Sequence, residues 1–249
     1  MGLYCVRELE VKESNNKYTQ LVCIVIPVYK TLLSDSESQS LKRCFDILGN
    51  YPIFFVCPDS LDLGLYQRIA KKEIKIERFA DKYFRGIGGY NELMVLREFY
   101  QRFDKYEYLL IYQLDAFVFD DQLSAWCQKG YYYIGAPWFH ETKMRVKSGN
   151  GGFSLRKVAK FVKALSNPRV LLSRYIFIYV LKKNEDFFWA YLAFVFNYNK
   201  VASGDIAKYF SIEVKGPELV RDMGRVPFGN HGWTKYDSLF WKNIIEKAP

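Results

Sequence analysis

The chain has 249 residues and a formal net charge of +9, and half of its residues are hydrophobic. This length allows one large domain or two small ones, and the composition excludes a disordered protein because it supplies enough apolar side chains for a core. The basic balance suits phosphate-bearing ligands, nucleic acid or an anionic membrane surface, and charge alone does not separate these three.

The N-terminal half alternates apolar strands with amphipathic helices. Strands are predicted at residues 21–29, 52–59, 74–79 and 107–114, with 74–79 alternating like an edge strand. Helices are predicted at residues 40–48, 65–72 and 89–103. This order is typical of βαβ units, so we expect a mostly parallel sheet covered by helices on both faces.

Ligands of open parallel sheets bind beyond the carboxyl ends of the strands. Pro27, Val28, Tyr29, Asp59 and Asp115 fall at such ends. The run YLLIYQLDAFVFDDQL places Asp115 among apolar residues, and an unpaired buried carboxylate is costly. Either the strand ends just before Asp115, which then begins a turn, or Asp115 lies where the strand opens onto a ligand cleft.

The pattern changes after residue 120. Short strands are predicted within residues 131–138 and 149–157, a helix at 184–194, and an irregular loop at 227–233. No internal repeat or linker divides the chain. We therefore expect a single domain over residues 1–249, in two halves at about 20–120 and about 121–249.

Cysteines and apolar segments bear on location. The five cysteines are odd in number and contain no C-x-x-C pair, which favours reduced thiols in a cytosolic protein. The first 20 residues are mostly polar, unlike a signal peptide. Residues 170–181 are strongly apolar but too short to span a bilayer, and they include Arg174. We interpret them as a buried helix, with a membrane-resting surface as the alternative.

Several polar motifs have both a structural and a functional interpretation. Glu185 and Asp186 begin a predicted helix, where acids stabilise the first turn, but Asp186 also suits a general base. Asn150-Gly151 favours a type I′ hairpin turn, while Gly151 and Gly152 together would let a ligand approach the backbone.

The histidines and two tryptophans also have two interpretations. His140 and His231 are the two histidines, and a lone histidine is more often structural than a metal ligand; the glycines flanking His231 favour a site there. Trp138 and Trp233 are explained by packing, or by stacking on a sugar ring.

Six motifs occur in an order that resembles a GT-A glycosyltransferase. They are PVYK at Pro27, YQLDAF at Tyr112, YIGAPW at Tyr133, GNGGFSLR at Gly149, NEDFFW at Asn184 and PFGNHGW at Pro227. More narrowly, they resemble a bacterial and viral family of glycosyltransferase-like proteins once catalogued only as a domain of unknown function. The motifs span about 200 residues, so the resemblance covers nearly the whole chain.

The resemblance implies roles for individual residues. Asp115 resembles the acid of an Asp-x-Asp metal motif, although Phe117 replaces its second acid. Asp186 resembles the general base, Glu185 a residue that binds sugar hydroxyls, and His231 a late histidine that contacts metal or diphosphate. The nucleotide-sugar donor is expected at Pro27, Val28, Tyr29, Asp59, Asn91, Gln113, Asp115, Gly151 and Gly152.

The resemblance also implies a function, with residues at about 20–120 as the nucleotide-binding half and residues at about 121–249 as the acceptor or catalytic half. We expect a GT-A-fold enzyme that transfers a sugar from a nucleotide-diphosphate sugar to an acceptor hydroxyl with inversion, in surface polysaccharide (O-antigen or capsule) biosynthesis. A divalent cation, Mn²⁺ or Mg²⁺, is expected at Asp115 and His231, and a glycan or lipid-linked glycan as acceptor. The predicted location is cytoplasmic, with weak attachment to the anionic inner membrane face.

Two alternatives remain open at this stage. The incomplete Asp-x-Asp motif and 45 aromatic residues are compatible with a non-catalytic carbohydrate or nucleotide-sugar binding protein. Nucleic acid is not expected as a partner, because there is no recognition motif, zinc spacing or concentrated Lys/Arg stripe.

Overall fold

A computed structural model describes residues 20–72, 74–138, 149–195 and 200–247. The strands are β1 Gln20–Pro27, β2 Ile53–Pro58, β3 Lys75–Phe79, β4 Tyr106–Tyr112, β5 Ala116–Val118, β6 Tyr133–Ile134, β7 Phe153–Lys157, β8 Ser211–Ile212 and β9 Gly229–His231. The α-helices are α1 Asp35–Leu48, α2 Gly64–Ala70, α3 Gly86–Met94, α4 Arg97–Gln101, α5 Leu123–Gln128, α6 Val158–Ala164, α7 Pro168–Arg174, α8 Glu185–Val195, α9 Gly204–Phe210, α10 Gly216–Met223 and α11 Ser238–Ile245. A 3₁₀ turn covers Asp81–Phe84, and a π-helical segment, Tyr175–Val180, continues α7.

The central sheet has six strands in the order β3-β2-β1-β4-β7-β6. The first four strands pair in parallel, whereas β7 is antiparallel to both β4 and β6. The predicted mixed, mostly parallel α/β architecture is confirmed, and β3 is the edge strand that its alternation predicted. The parallel strands end along the same edge, which places the loops after β1 and β4 side by side.

Both faces of this sheet are buried, which explains why its strands are continuous apolar runs. Along β1, Ile24 and Ile26 belong to the apolar cluster beneath α1 and α5. Cys23 and Val25 belong to the cluster on the opposite face, which includes residues of α4, α6 and α8. Successive side chains of a strand point to opposite faces, so a strand covered on both sides has no polar positions to alternate.

Two predicted helices differ from those observed. α1 begins five residues before the predicted start, because Ser34 and Glu37 form a capping box that extends the helix through a polar first turn. The predicted helix over 89–103 is two helices. The chain leaves the helical conformation at Leu96 (φ −87°, ψ 124°), beside the buried Val95, with no glycine or proline to mark the break.

A second, three-stranded sheet has the order β5-β9-β8. The predicted irregular loop at 227–233 is therefore partly wrong, because its central residues form β9. Three residues are too few to show the alternation that predicts a strand, and the backbone hydrogen bonds of β9 come from its pairing with β5. The small sheet joins the same domain, since Ser40 of α1 donates from Oγ to the carbonyl of Ala116 at 2.6 Å.

The segment from α7 to the π-helical turn lies largely at the surface. Val170 and Ile178 are buried, whereas Leu172, Tyr175 and Val180 are exposed. The interpretation of residues 170–181 as a buried helix is therefore wrong. None of the helices described is both long and apolar enough to cross a bilayer. Cys23, Cys44, Cys57 and Cys127 are free and buried; Cys5 and the predicted polar start of the chain lie outside the described residues.

Candidate functional site

A cavity of about 940 Å³ opens at the carboxyl ends of β1 and β4. Its walls combine loops from both halves of the chain. The predicted site residues in its lining are Pro27, Tyr29, Asn91, Gln113, Asp115, Gly151, Gly152, Glu185, Asp186 and His231. Two predicted donor-binding residues do not line it: Val28 is buried in the apolar core, and Asp59 is exposed beyond β2.

Asp115 lies in a three-residue turn between β4 and β5, and its side chain is 45% exposed at the cavity. The turn is held by Ala116 N–H, which donates to Gln113 O at 2.9 Å, and by Gly232 N–H, which donates to Asp115 O at 2.9 Å. Both interpretations of this position therefore hold. The strand ends before Asp115, and the resulting turn presents its carboxylate to the cavity.

His231 lies between two carboxylates and one amide. Its Nε2 is 3.2 Å from Asp115 Oδ1 and 3.2 Å from Gln113 Oε1, and its Nδ1 is 3.2 Å from Glu213 Oε1. Burial alone would lower the pKa of His231, but the hydrogen bonds and charges of Asp115 and Glu213 outweigh it and raise the pKa to about 9. The ring is thus an imidazolium at neutral pH.

The pKa of Asp115 moves in the opposite direction. Burial would raise it, yet the hydrogen bond and the positive charge of His231 hold the pKa of this carboxyl below its usual value. Asp115 is therefore ionised throughout the physiological range, and Asp115 and His231 form a charged pair.

Glu213 was missed by the sequence interpretation. It follows β8 directly, and β8 runs parallel to β9, which ends at His231. Adjacent parallel strands that end together place the two side chains side by side. The only signal was an acid directly after the short segment Ser211–Ile212, and two residues do not predict a strand.

Gly151 and Gly152 are required because two functional side chains pack against their backbone. A Cβ on Gly151 would collide with the Glu185 carboxylate, and one on Gly152 would collide with the His231 ring. Neither glycine has a positive φ, so the predicted type I′ hairpin turn at Asn150-Gly151 is wrong. Instead, Asn150 Oδ1 accepts a hydrogen bond from Gly152 N–H at 2.9 Å.

Glu185 is buried and forms an ion pair with Arg156, whose Nη2 lies 3.1 Å from Glu185 Oε1. Arg156 also donates to Tyr100 Oη at 2.9 Å and to Ser154 Oγ at 3.0 Å. Arg156 was not predicted as a site residue, because only the structure shows that this cation of β7 is fully buried. Within the described structure, Glu185 Oε2 is buried and has no hydrogen-bond partner, although the residue contributes to the cavity lining.

Asp186 follows Glu185 in the first turn of α8. Burial raises the pKa of its carboxyl to about 7, and the negative charge of Glu185 adds to the effect. Its Oδ1 accepts a hydrogen bond from Phe187 N–H at 2.7 Å. A carboxyl with this pKa is a stronger base than an ordinary aspartate and is still substantially ionised at neutral pH.

Aromatic and cationic groups complete the lining. The Trp138 ring stacks on Phe187 with centroids 5.5 Å apart, and both residues line the cavity. Trp233 is buried and packs edge-on against Phe117, so it belongs to the core. His140 lies outside the described residues. The lysines in the lining are Lys30, Lys182, Lys183 and Lys235.

Among the residues described, no group of three His, Cys, Asp or Glu side chains is arranged to hold a metal ion. Asp115 and Glu213 contact opposite nitrogens of His231, so they do not converge on one point. Asp115, Gln113 Oε1 and His231 Nε2 share one side of the ring, with Glu213 on the other nitrogen. This set fits a divalent cation only if a ligand's oxygens complete the shell.

Two of three comparisons with known proteins find a similarity. The family model described as "Protein of unknown function (DUF5672)" matches residues 73–231, well over half of the chain. A search of curated protein sequences finds no significant match. The fold is similar to the crystal structure of the glycosyltransferase GlyE from Streptococcus pneumoniae TIGR4, with a TM-score of 0.56 over 92% of this chain at 13% identity. The match spans 62% of the GlyE chain.

Proposed function

The chain belongs to the DUF5672 family of proteins of unknown function, and we propose that it is a glycosyltransferase that moves a sugar from a nucleotide-diphosphate sugar to an acceptor hydroxyl. The glycosyltransferase-like fold supports this proposal. The observation that carries it is Asp186, a carboxyl with a pKa of about 7 in a cavity that also contains a charged His–Asp pair.

Asp186 serves as the general base in this proposal. Its carboxylate accepts the proton of the acceptor hydroxyl while the hydroxyl oxygen forms a bond to the anomeric carbon of the donor. The bond between that carbon and the diphosphate oxygen breaks, and the nucleoside diphosphate leaves with the electron pair. Attack from the face opposite the leaving group inverts the configuration.

The remaining polar groups bind and neutralise the donor. Glu185, in the cavity lining, binds a sugar hydroxyl in this proposal, and the buried ion pair with Arg156 keeps its carboxylate in place. Negative charge that develops on the diphosphate is balanced by the imidazolium of His231 and by cavity lysines such as Lys235. Gly151 and Gly152 let the donor approach the backbone.

We extend the proposal to a divalent cation, Mn²⁺ or Mg²⁺, bound by Asp115, His231 Nε2 and Gln113 Oε1, with Glu213 orienting the ring through Nδ1. Binding of such an ion would require His231 to lose the proton on Nε2, and the ion would then supply, in place of the imidazolium, the positive charge for the leaving diphosphate. The proposed process is surface polysaccharide assembly, with a glycan or lipid-linked glycan as acceptor, and it rests on the sequence resemblance.

Donor hydrolysis tests the proposed function without knowledge of the acceptor. The purified chain is incubated with UDP, GDP, dTDP and CMP sugars, and the released nucleotide is measured. We expect slow hydrolysis of one donor class, and transfer once a suitable hydroxyl acceptor is added. Binding of a nucleotide sugar without hydrolysis or transfer by any member of the panel would indicate a carbohydrate-binding protein instead.

The Asp186→Asn variant tests the base. It should retain donor binding, because Asn keeps the size of the side chain, and should lose transfer by about 10²–10⁴-fold, the contribution of a positioned general base. The matched control is Asp205→Asn, which changes an exposed acid in the first turn of α9. Near-normal turnover by Asp186→Asn would show that another group accepts the proton.

A further inference from the structure

The surface formed by α7 and the π-helical segment carries a continuous apolar stripe. The exposed residues Leu171, Leu172, Tyr175, Ile176, Tyr179 and Val180 recur as adjacent pairs every four residues. One turn of an α-helix contains slightly fewer than four residues and one turn of a π-helix slightly more, so this repeat stays on one side of the combined helix. We call this stripe the 171–180 face.

The exposure of this face is substantial for an apolar surface. Leu172 is 62% exposed, Tyr175 57% and Val180 59%. The Tyr175 and Tyr179 rings lie beside each other, with centroids 5.8 Å apart. A contiguous exposed apolar patch of this kind is typical of a surface that contacts a partner or a membrane.

The charge around the face is mostly positive. Residues 157–183 contain seven Lys or Arg and no Asp or Glu, and one acid of another element, Glu92 of α3, lies close enough to act on Tyr179. Arg169 lies at one end of the face, Lys182 and Lys183 lie at the other, and all three are exposed. Aliphatic and tyrosine side chains flanked mainly by cations suit lipid tails beneath anionic headgroups.

The face leads directly into the cavity. Lys182 and Lys183, which follow its last turn, line the cavity, and Glu185 and Asp186 come next in the chain. Ile87, at the start of α3, also lines the cavity and is 72% exposed. A flat layer that covers the 171–180 face would thus meet the rim of the cavity.

We propose that the 171–180 face docks onto a bilayer that contains anionic lipid, with its apolar side chains inserted at the level of the headgroups. Docking places the mouth of the cavity at the membrane surface, where the hydroxyl of a lipid-linked acceptor reaches Asp186. The statement about the acceptor rests on the proposed function, and the docking itself does not. The occupant is a lipid surface rather than a second copy of the chain.

Vesicle flotation tests the docking. The full chain is mixed with vesicles of phosphatidylcholine plus phosphatidylglycerol, or of phosphatidylcholine alone, at about 0.05 M and about 0.5 M salt, across which screening increases severalfold. We expect flotation with the anionic vesicles at low salt and loss of most of it at high salt. No flotation, or equal flotation with both vesicle types, overturns the proposal.

Two variants locate the contact. The double variant Leu172→Ser/Val180→Ser should weaken binding about tenfold or more, because it removes two inserted apolar groups. Arg169→Gln should weaken it about fivefold, the effect of one cation near anionic lipid. The matched controls are Leu239→Ser on α11, where Leu239 is 74% exposed, and Lys42→Gln on α1, which packs on the opposite face of the sheet from α7.

The outcomes separate the docking from the proposed function. Both control variants should float like the unmodified chain. If they lose flotation to the same degree as the variants of the 171–180 face, binding is non-specific and the assignment of the docking face is wrong. A dimer in solution that Leu172→Ser/Val180→Ser abolishes would also overturn the proposal, because a second copy then covers the face. Flotation without hydrolysis of any donor would refute the proposed function alone, and hydrolysis without flotation would refute the docking alone.

Discussion

The carboxyl group of Asp186 lies in two surroundings that act on its charge in the same direction. Burial removes water from the carboxylate, and Glu185, directly before it in the chain, adds a negative charge; together they raise the pKa to about 7. The first turn of a helix favours an acid, but that effect is small beside desolvation. Asp186 therefore binds its proton more tightly in the folded than in the unfolded chain.

This raised pKa predicts that stability falls as pH rises. Below about pH 4 the carboxyl is protonated in both the folded and the unfolded state, so it does not change the free energy of unfolding. Between about pH 4 and pH 7 the folded state alone retains the proton, so raising the pH favours unfolding. At pH 8, Asp186→Asn should therefore raise the free energy of unfolding by about 1–3 kcal/mol, and at pH 4 it should have little effect. Urea unfolding at both pH values measures this.

Asp205→Asn again provides the control, since Asp205 is an exposed acid in the first turn of a helix. It should show no gain at pH 8, and a loss of about 0.5 kcal/mol would be expected from the helix dipole. An equal change in stability for Asp186→Asn at both pH values would contradict the raised pKa.

His231 and Asp115 allow a test of the proposed cation. If a divalent ion completes its shell with donor oxygens, excess EDTA should abolish donor hydrolysis, and added Mn²⁺ or Mg²⁺ should restore it. Asp115→Asn should require more metal for the same rate, whereas Asp121→Asn, on an acid outside the cavity lining, should not. Full hydrolysis in EDTA would leave the His231 imidazolium and the cavity lysines to neutralise the diphosphate.

At the scale of elements, β7 and α8 are joined by the buried pair of Arg156 and Glu185. Both side chains are almost fully buried and each satisfies the other, so removal of one leaves an uncompensated buried charge. The pair also connects the glycine loop to the base, because Arg156 Nη2 lies 3.3 Å from Gly151 O and Asp186 follows Glu185. The position of Asp186 therefore depends on a strand that is distant in sequence.

Arg156→Met should destabilise the fold by about 3–5 kcal/mol, the cost of leaving a buried charge unpaired. The double variant Arg156→Met/Glu185→Met should recover much of that loss, because it removes both charges at similar volume. Arg102→Met is the control: Arg102 pairs with Glu98 and Glu77, all three side chains are partly exposed, and its loss should cost about 1–2 kcal/mol because solvent screens the pairs. Urea unfolding of the four proteins tests the series, and a double variant that is no more stable than Arg156→Met would contradict it.

At the scale of the whole molecule, the cavity is assembled from segments that are far apart in sequence. Gln113, Gly152, Glu213 and His231 meet because the end of β4, the start of β7 and the ends of β8 and β9 lie at the same side of the domain, where Glu185 of α8 joins them. The predicted division into a nucleotide-binding half and a catalytic half stays a prediction, since both halves contribute residues to the cavity. The GT-A assignment, the donor and the location likewise stay predictions.

The sequence by itself determined the strands and helices of the N-terminal half, because a parallel sheet covered on both faces requires long apolar runs that are visible residue by residue. It also singled out Asp115 and Asp186, which the structure places in the cavity lining, and their roles stay predictions. Short elements escaped it: β9 has three residues, and the break at Leu96 has no glycine or proline.

Only the tertiary structure decided which groups act on one another. The pairing of Glu213 with His231 and that of Arg156 with Glu185 join residues that are not neighbours in the chain, and the raised pKa of Asp186 depends chiefly on its burial by the folded chain. The same holds for residues 170–181, whose apolar composition is compatible with a core but whose position leaves them exposed. Hydropathy states what a segment prefers to contact, and packing of the remaining chain determines whether that contact is available within the molecule.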